Sequence, residues 1–287
     1  MIVHSFLDPQ TETYSHILID DDTKLCAIID PVLDYEPVSG RINHDNADKL
    51  INFITRHDLT VKYIIETHAH ADHLTSAHYL KERLGGQTVI GKYIATVQHI
   101  FKDIYDLDDD FVPNASQFDH LTDDGTTLTL GSLSITAMHV AGHTPADMAY
   151  QVTDDTRLIV FVGDTLFAPD VGTARCDFPA GDSGKLYDSI QRILALPDET
   201  VLYLCHDYPP EHREYSPTTT VGEQRRHNIH VKDGISRDDF INMRDARDKT
   251  LSVPRLMLPS VQVNINAGEF FTTQNGKPYV RIPVNQF

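Results

Sequence analysis

Apolar positions in this chain recur with two different periods, which predict a mixture of strands and helices. Short runs rich in β-branched and aromatic residues, separated by polar segments, are typical of buried strands. An N-terminal pair of such runs, residues 14–19 and 25–29 around an acidic turn, predicts a β-hairpin. Four further runs lead within a few residues to histidine, aspartate or cysteine, and they cover residues 61–65, 133–140, 158–162 and 201–204.

Apolar residues at helical spacing predict four helices among and after these runs. Each begins near a residue type that accepts hydrogen bonds from free backbone N–H groups, and Gly85-Gly86 is expected to end the second helix. The predicted caps are Asn43 or Asp45, Thr75, Ser183 and Ser236.

The chain from about Val231 onward has a weaker pattern. Residues 259–264 predict a strand or an extended lid, and Asn275-Gly276 predicts the turn of a final hairpin. We therefore expect a main domain over residues 1–230 and a C-terminal extension, residues 231–287, that packs on or continues that domain.

The segment from Thr67 to His73 has the highest density of potential metal ligands, because three histidines and an aspartate follow directly after a predicted strand. His68 and His70 project to the same side if the chain stays extended, and Asp72 and His73 follow. Neutral imidazoles and carboxylates are good ligands for zinc or iron(II), and four of them can serve one ion or be divided between two.

Sixteen histidines make this a histidine-rich chain, and a single histidine is usually exposed or satisfied by hydrogen bonds. Those without a comparable arrangement of neighbours are interpreted as structural or exposed. They are His4, His16, His44, His57, His78, His99, His120, His212, His227 and His230.

Three later segments can complete a metal site, each at the end of a predicted strand. Gly142 permits an unusual turn that presents His143, Gly163 precedes Asp164, and Cys205 precedes His206. Each segment alone is equally typical of turn chemistry. Together, in this order, they form a strong signal.

These positions resemble the metallo-β-lactamase-fold superfamily, whose pattern is HxHxDH, a downstream histidine, a bridging aspartate and a final histidine. The resemblance covers about residues 1–230 and implies an α/β (α+β) fold, a four-layer αββα sandwich. Fold similarity alone does not determine the reaction. The positions of the pattern are filled here by His68, His70, Asp72, His73, His143, Asp164 and His206.

Composition narrows the function. A net charge of −18 argues against a nucleic-acid-binding surface, and it means that an anionic substrate would need a local basic pocket. Neither a membrane-spanning run nor a signal-peptide pattern in residues 1–10 is found, so a cytoplasmic location is expected. Cys26, Cys176 and Cys205 are few and odd in number, which suits a reducing compartment.

Residues 170–178 resemble a stretch of the persulfide dioxygenases in which an arginine two residues before an Asp-Phe pair helps to bind glutathione persulfide. Arg175 occupies that position, and residues 205–208 and 258–264 resemble the bacterial β-lactamase hydrolase-like branch. Arg175 could clamp a carboxylate, although a structural ion pair suits it equally well. With Thr144 and Tyr208 it is an expected substrate-binding residue.

This resemblance implies a single iron(II) ion held by His68, His143 and Asp164. His70, Asp72, His73 and His206 would then be ligands of a second site or an outer shell. The substrates would be glutathione persulfide, or a similar small persulfide, and O2, and the product would be sulfite. A homodimer is possible.

A rival interpretation is that the same residues hold two metal ions and that the protein hydrolyses a thioester or ester, as glyoxalase II does. Two zinc ions, or zinc and iron, would then be bridged by Asp164. Against it, the C-terminal region does not resemble the helical glutathione-binding extension of glyoxalase II, which usually carries paired basic residues. A third reading is a non-catalytic metal-binding or sulfide-sensing module.

Overall fold

The computed structural model describes residues 1–154 and 156–286. The elements of the first part of the chain are β1 (Ile2–Asp8), β2 (Thr13–Asp20), β3 (Leu25–Ile29), β4 (Val32–Glu36), β5 (Arg41–Asn43), α1 (Asp45–Arg56), β6 (Thr60–Ile65), β7 (Leu74–Thr75), α2 (Ala77–Leu84), β8 (Gln87–Gly91), α3 (Ile94–Tyr105) and β9 (His120–Thr122). Those that follow are β10 (Thr127–Leu130), β11 (Leu133–His139), β12 (Met148–Thr153), β13 (Leu158–Phe161), α4 (Ser183–Leu194), β14 (Val201–Tyr203), β15 (Thr218–Thr220), α5 (Val221–His227), α6 (Arg237–Asp248), α7 (Met257–Asn264), β16 (Phe271–Thr272) and β17 (Pro278–Tyr279).

Two six-stranded sheets form the centre of the molecule. The first has the order β1-β2-β3-β6-β8-β9, with parallel pairing from β3 to β9. The second has the order β10-β11-β12-β13-β14-β15 and is antiparallel except between β13 and β14. The predicted N-terminal hairpin is confirmed as the antiparallel pair β2 and β3, in which Ile17 lies opposite Ile28.

The inner faces of the two sheets pack against each other. Leu18 and Ile29 of the first sheet share a buried cluster with Tyr150 and Phe161 of the second. Side chains alternate along a strand, so Ile17 and its neighbours on the other face are directed away from this cluster. The sandwich is therefore held by apolar contact between the sheets.

Helices cover the outer faces. Leu50 of α1 and Leu80 of α2 pack on the outer side of the first sheet. Ile190 of α4 and Phe240 of α6 pack on the outer side of the second. This arrangement is the four-layer αββα sandwich expected from the sequence, and that prediction is confirmed.

The predicted caps differ slightly from those observed. Helix α4 is capped by Asp182, which accepts a hydrogen bond from the N–H of Lys185 at 2.9 Å, rather than by Ser183. Helix α1 follows His44 without a side-chain cap. The hydroxyl of Thr75 accepts from the N–H of Ala77 at 3.0 Å, but Ser76 occupies the cap position of α2.

The remaining cap, Ser236, is confirmed, because its hydroxyl accepts a hydrogen bond from the N–H of Asp239 at 3.2 Å at the start of α6. The final hairpin is also present, with Phe271 of β16 opposite Tyr279 of β17. None of the helices in the described part of the chain is long and apolar enough to cross a bilayer.

The strand or lid predicted for residues 259–264 is wrong, since these residues belong to α7. The alternation of Val261 and Val263 suggested a strand, but the whole segment is buried, so no exposed face reveals the helical period. Pro259 is compatible with a helix because it lies in the first turn. Helix α7 packs with α3 and with β7, so the extension contacts the main body, while its boundary at residue 230 stays a prediction.

Candidate metal centre

Seven side chains with potential ligand atoms converge at one edge of the sandwich, although they come from four loops. The loop between β6 and β7 carries four of them, and the loops after β11, β13 and β14 carry one each. They are His68, His70, Asp72 and His73, followed by His143, Asp164 and His206.

Three of these residues form a compact group. The Nε2 atoms of His68 and His143 each lie 3.7 Å from Oδ2 of Asp164. On the other side of each ring, Nδ1 of His68 is hydrogen-bonded to the hydroxyl of Thr67 at 3.0 Å, and Nδ1 of His143 donates to the carbonyl of Arg175 at 2.7 Å. The Nδ1 bonds orient both rings, so that their Nε2 atoms face the carboxylate.

The other four residues form a second group, with potential ligand atoms within 4.8 Å of one another: His70, Asp72, His73 and His206. Nε2 of His206 lies 3.0 Å from Oδ2 of Asp72 and 3.4 Å from Oδ1 of Asp164. Asp164 therefore presents one oxygen to each group, which is the position of a bridging carboxylate.

His70 is held by two buried carboxylates. Its Nε2 lies 3.1 Å from Oδ1 of Asp30 and 3.2 Å from Oε2 of Glu66. Burial opposes a positive charge on the ring, but Asp30 and Glu66 together outweigh burial, and the pKa of His70 is raised well above its usual value. Nδ1 of His70 has no hydrogen-bond partner among the described residues and is free to act as a ligand atom.

The two groups differ in electrostatics. Burial, reinforced by the neighbouring His70, lowers the pKa of His68 well below its usual value and keeps a lone pair on the ring. Burial acts on His206 in the same direction, but Asp72 and Asp164 outweigh it and raise the pKa to about 9. The carboxylates thus favour a positive charge beside His206, as a metal ion would provide.

Several buried nitrogen and oxygen atoms of the two groups are suited to bind a metal ion. Unpaired polar atoms are costly to bury, and coordination of zinc or iron would satisfy them. Within the described residues, hydrogen-bond partners are lacking for Nε2 of His68 and His73 and for Oδ1 of Asp164. The donor set suits one or two such ions.

Two glycines let the loops approach closely. A Cβ at Gly163 would lie 2.8 Å from Oγ1 of Thr67, the group that holds His68. A Cβ at Gly142 would lie 2.3 Å from Cα of Leu186 in α4. Their φ angles of 53° and 153° lie in the region that favours glycine, so the unusual turn predicted at Gly142 is confirmed.

A cavity of about 300 Å³ opens beside the centre. Asp72, His143 and Asp164 line part of its wall, so a small molecule in the cavity would meet both groups. Tyr208 also lines it, with its ring nearly parallel to that of His206 and 5.6 Å between the ring centroids.

Arg175 reaches this cavity, but its guanidinium is already paired. Nε and Nη2 donate to the carboxylate of Asp177 at 2.5 and 2.6 Å, and Nη1 donates to the carbonyl of Ser252 at 2.7 Å. The structural ion pair that the sequence left open is the arrangement observed. A substrate contact by Arg175 stays a prediction, as does one by Tyr208.

Thr144 requires a correction, because the structure does not place it at the cavity wall. The residue is fully buried, and its hydroxyl donates to Oδ1 of Asp147 at 2.5 Å. Its role is to hold the loop next to His143, and the hydroxyl is not available to a substrate.

Helix α6 brings to the cavity two arginines that the sequence analysis missed. Arg244 is buried, and its Nε donates to Asp248 at 2.8 Å. Arg247, one helical turn later, is exposed, and its side chain has no hydrogen bond or ion pair with the described residues. Their spacing of three residues places both on one face of the helix, but this spacing alone does not indicate a cavity.

The three cysteines are free and buried. Burial raises the pKa of Cys26 to about 12 and also raises those of Cys176 and Cys205. Since the thiolate is the reactive form, none of the three has the environment of a catalytic nucleophile.

Residues 14–206 match the Metallo-beta-lactamase superfamily, and the chain belongs to this superfamily. The family resemblance seen in the sequence is therefore confirmed. Members of the superfamily are metal-dependent enzymes, and the buried histidine and aspartate cluster implies a divalent metal here.

Several relatives cover nearly the whole chain. A probable metallo-hydrolase of Burkholderia pseudomallei (strain 1710b) is 50% identical over 99% of both chains. Glyoxylase B2 of Dictyostelium discoideum is 47% identical over 99% of this chain and 97% of its own length. The mitochondrial persulfide dioxygenase ETHE1 of Mus musculus is 26% identical over 93% of this chain and 89% of its own length.

Among solved structures, ETHE1 from Myxococcus xanthus superimposes with a TM-score of 0.74 and 30% identity. The match covers 94% of this chain and 100% of that protein. Relatives with hydrolase names and relatives with dioxygenase names thus share this fold, so the reaction has to be argued from the site.

Proposed function

We propose that this chain oxidises a low-molecular-weight persulfide, such as glutathione persulfide, at a single iron(II) ion. One O2 and one water would convert the persulfide to sulfite and the parent thiol. The observation that carries the proposal is the group of His68, His143 and Asp164 beside the cavity. Two histidines and one carboxylate are the ligand set of non-haem iron(II) oxygenases, and they leave positions for substrate and O2.

The residues around this group would orient it rather than react. Thr67 and the carbonyl of Arg175 hold the two imidazoles from behind, which fixes the nitrogen that faces the metal. When bound, iron(II) would supply the binding and activation of O2 and of the persulfide sulfur. The protein would supply the position of the thiol carrier.

The cavity wall supports an anionic carrier. The chain has a net charge of −18, which repels anions at long range, yet Arg175, Arg244 and Arg247 line the cavity. Arg175 and Arg244 are committed to carboxylates of the chain itself. Arg247 is not, and its guanidinium can donate paired hydrogen bonds to a carboxylate such as those of glutathione.

A second candidate is hydrolysis of a thioester or ester at two zinc ions, or at zinc and iron. Asp164 favours it, because its Oδ1 lies 3.4 Å from Nε2 of His206 while its Oδ2 faces the other group. A bridged pair of ions would lower the pKa of a shared water. The relative named glyoxylase B2 also supports this reaction.

The test is anaerobic reconstitution with iron(II), followed by O2 uptake and sulfite formation with glutathione persulfide. Hydrolysis of S-lactoylglutathione is measured beside it, with zinc and with iron. We expect O2 uptake to equal sulfite formation and to fall to background in His143→Ala and Asp164→Ala. His99→Ala, a change at an exposed histidine of α3, is the matched control and should leave both rates unchanged.

Metal-dependent thioester hydrolysis without O2 uptake would overturn the dioxygenase and support the hydrolase. Bound metal without either activity would overturn both and favour a binding or sensing module. A small-molecule substrate rather than a nucleic acid is part of the proposal, and the homodimer and the cytoplasmic location stay predictions.

A further inference from the structure

The loop between β6 and β7 carries four of the seven potential ligands but contains neither helix nor strand. A side chain distant in the sequence bonds to the backbone of its second half. Nδ2 of Asn264, in α7, donates to the carbonyl oxygens of His70 and His73 at 2.8 Å each. Oδ1 of Asn264 accepts from the N–H of Thr75 at 2.9 Å, so both donors and the acceptor of this amide are used by the loop and by β7.

These bonds are shielded from water. Asn264 is 2% exposed. Beside it, Val261 and Ile265 share a buried cluster with Ala69 and Ala71, the two residues that lie between the ligands of the HxHxDH motif. Helix α7 therefore meets the loop by apolar contact at alternate residues and by hydrogen bonds to its carbonyls.

We propose that Asn264 is a positioning residue for the metal centre and that α7 serves as the rigid support of the ligand loop. The bonds to His70 and His73 fix the backbone on both sides of Asp72, which limits the directions in which these three side chains point. Both donors and the acceptor of the Asn264 amide are taken by backbone groups, and the residue lies outside the superfamily pattern, so it would act through the ligands. The proposal rests on the metal centre and is independent of the reaction catalysed there.

The same helix offers a matched control. Gln262 is also a fully buried amide with two donated bonds, from Nε2 to the carbonyls of Leu258 at 2.6 Å and Arg281 at 2.8 Å. Its Oε1 accepts from the N–H of Arg281 at 2.8 Å. Gln262 thus holds the C-terminal segment, and its hydrogen bonds within the described residues do not include the ligand loop.

The experiment compares Asn264→Leu with Gln262→Met in the full chain. Both substitutions replace an amide by an uncharged apolar side chain of similar size. The metal-free proteins are titrated with zinc in competition with a chromophoric chelator and, separately, with cobalt(II), whose visible spectrum reports ligand geometry. Thermal unfolding of the metal-free proteins shows whether each variant is folded.

We expect Asn264→Leu to weaken zinc affinity by about 10- to 100-fold, as for other groups that orient metal ligands, and to alter the cobalt spectrum. Gln262→Met should leave both unchanged. Asn264→Ser, which keeps one hydroxyl donor, should give a smaller loss, and it replaces the leucine variant in the comparison if that variant does not fold.

An Asn264 variant that is folded and retains the native zinc affinity and cobalt spectrum would overturn the proposal. An equal loss in Gln262→Met would also overturn it, because the effect would then come from general packing of α7. The metal titrations use no substrate. A weaker metal affinity in Asn264→Leu would therefore support the proposal even if the persulfide assay failed, and an unchanged affinity would say nothing about the persulfide assay.

Discussion

The imidazoles of the metal centre are held from the side that faces away from the ligand groups. Thr67 binds Nδ1 of His68, the carbonyl of Arg175 binds Nδ1 of His143, and Asp30 lies next to Nε2 of His70. In each ring the other nitrogen remains for the metal. Such pre-organisation reduces the reorganisation that metal binding would otherwise require.

Arg247 differs from these residues because its side chain has no partner in the described part of the chain. We expect Arg247→Ala to raise the KM for glutathione persulfide about 10-fold, the effect of losing one charge-assisted hydrogen bond, while kcat changes little. The reason is that Arg247 would hold the carrier and not the reacting sulfur. Steady-state O2 uptake measures both constants.

The control for this prediction is Arg237→Ala on the same helix. Arg237 pairs with Asp188 at 2.9 Å and does not line the cavity, so its loss should leave KM unchanged. A native KM in Arg247→Ala, or a fall in kcat alone, would show that Arg247 does not bind the carrier.

The ligands could be found from the sequence because the HxHxDH motif is local and each later ligand follows a recognisable strand. Arg247 and Asn264 could not be found in this way. Their roles depend on where α6 and α7 pack, and nothing in their immediate neighbours indicates a metal loop or a cavity. The prediction for Thr144 was wrong because its position next to His143 suggested an exposed hydroxyl. In the structure this hydroxyl is buried and donates a hydrogen bond to Asp147.

Helix α6 is joined to the segment that follows Asp164 by a buried ion pair. Arg244 donates from Nε to Asp248 at 2.8 Å and from Nη1 to the carbonyl of Thr173 at 3.2 Å. Oδ2 of Asp248 accepts from the N–H of Cys176 at 2.7 Å. Both charged side chains are almost fully buried, so each depends on the other.

Arg244→Ala should therefore lower the free energy of unfolding by about 3–5 kcal/mol, because it leaves the carboxylate of Asp248 buried without its partner. Replacing both residues, Arg244→Met with Asp248→Leu, should cost less than the single change. Urea unfolding measures each variant. Arg237→Ala, at an exposed pair, should change the free energy by less than about 1 kcal/mol, and an equal loss there would contradict the argument from burial.

The four predicted helices, α1, α2, α4 and α6, each have one exposed face, whereas α3, α5 and the fully buried α7 were not predicted. Helix α4 shows apolar residues at helical spacing with polar residues between them, so its pattern identifies it. Helix α7 is buried along its length, which removes the contrast between faces on which the period depends. Its β-branched Val261 and Val263 then suggested a strand, and tertiary packing decided otherwise.

The two sheets of the molecule are connected next to the metal loops by His16 of β2. Its Nε2 donates to the carbonyl of Leu204, which follows β14 of the second sheet, at 2.9 Å. Its Nδ1 accepts from the hydroxyl of Ser5 in β1 at 2.8 Å. The ring is fully buried between the sheets, and burial lowers its pKa from 6.5 to about 4.

This depressed pKa predicts a loss of stability in acid. Above pH 6.5 the ring is neutral in both the folded and the unfolded chain, and its contribution to stability is complete. As the pH falls from 6.5 towards 4, the unfolded chain takes up a proton that the folded chain excludes, so the free energy of unfolding declines by about 3 kcal/mol.

His16→Gln removes this titration but leaves the carboxylates that give the chain its charge of −18. The stability difference between the native protein and the variant, measured by urea unfolding at pH 7 and at pH 4, isolates the contribution of His16 because other titrations cancel. We expect this difference to shrink by about 3 kcal/mol in acid. A difference that does not change with pH would mean that the proton enters the folded protein freely, and that this connection between the sheets tolerates a charged ring.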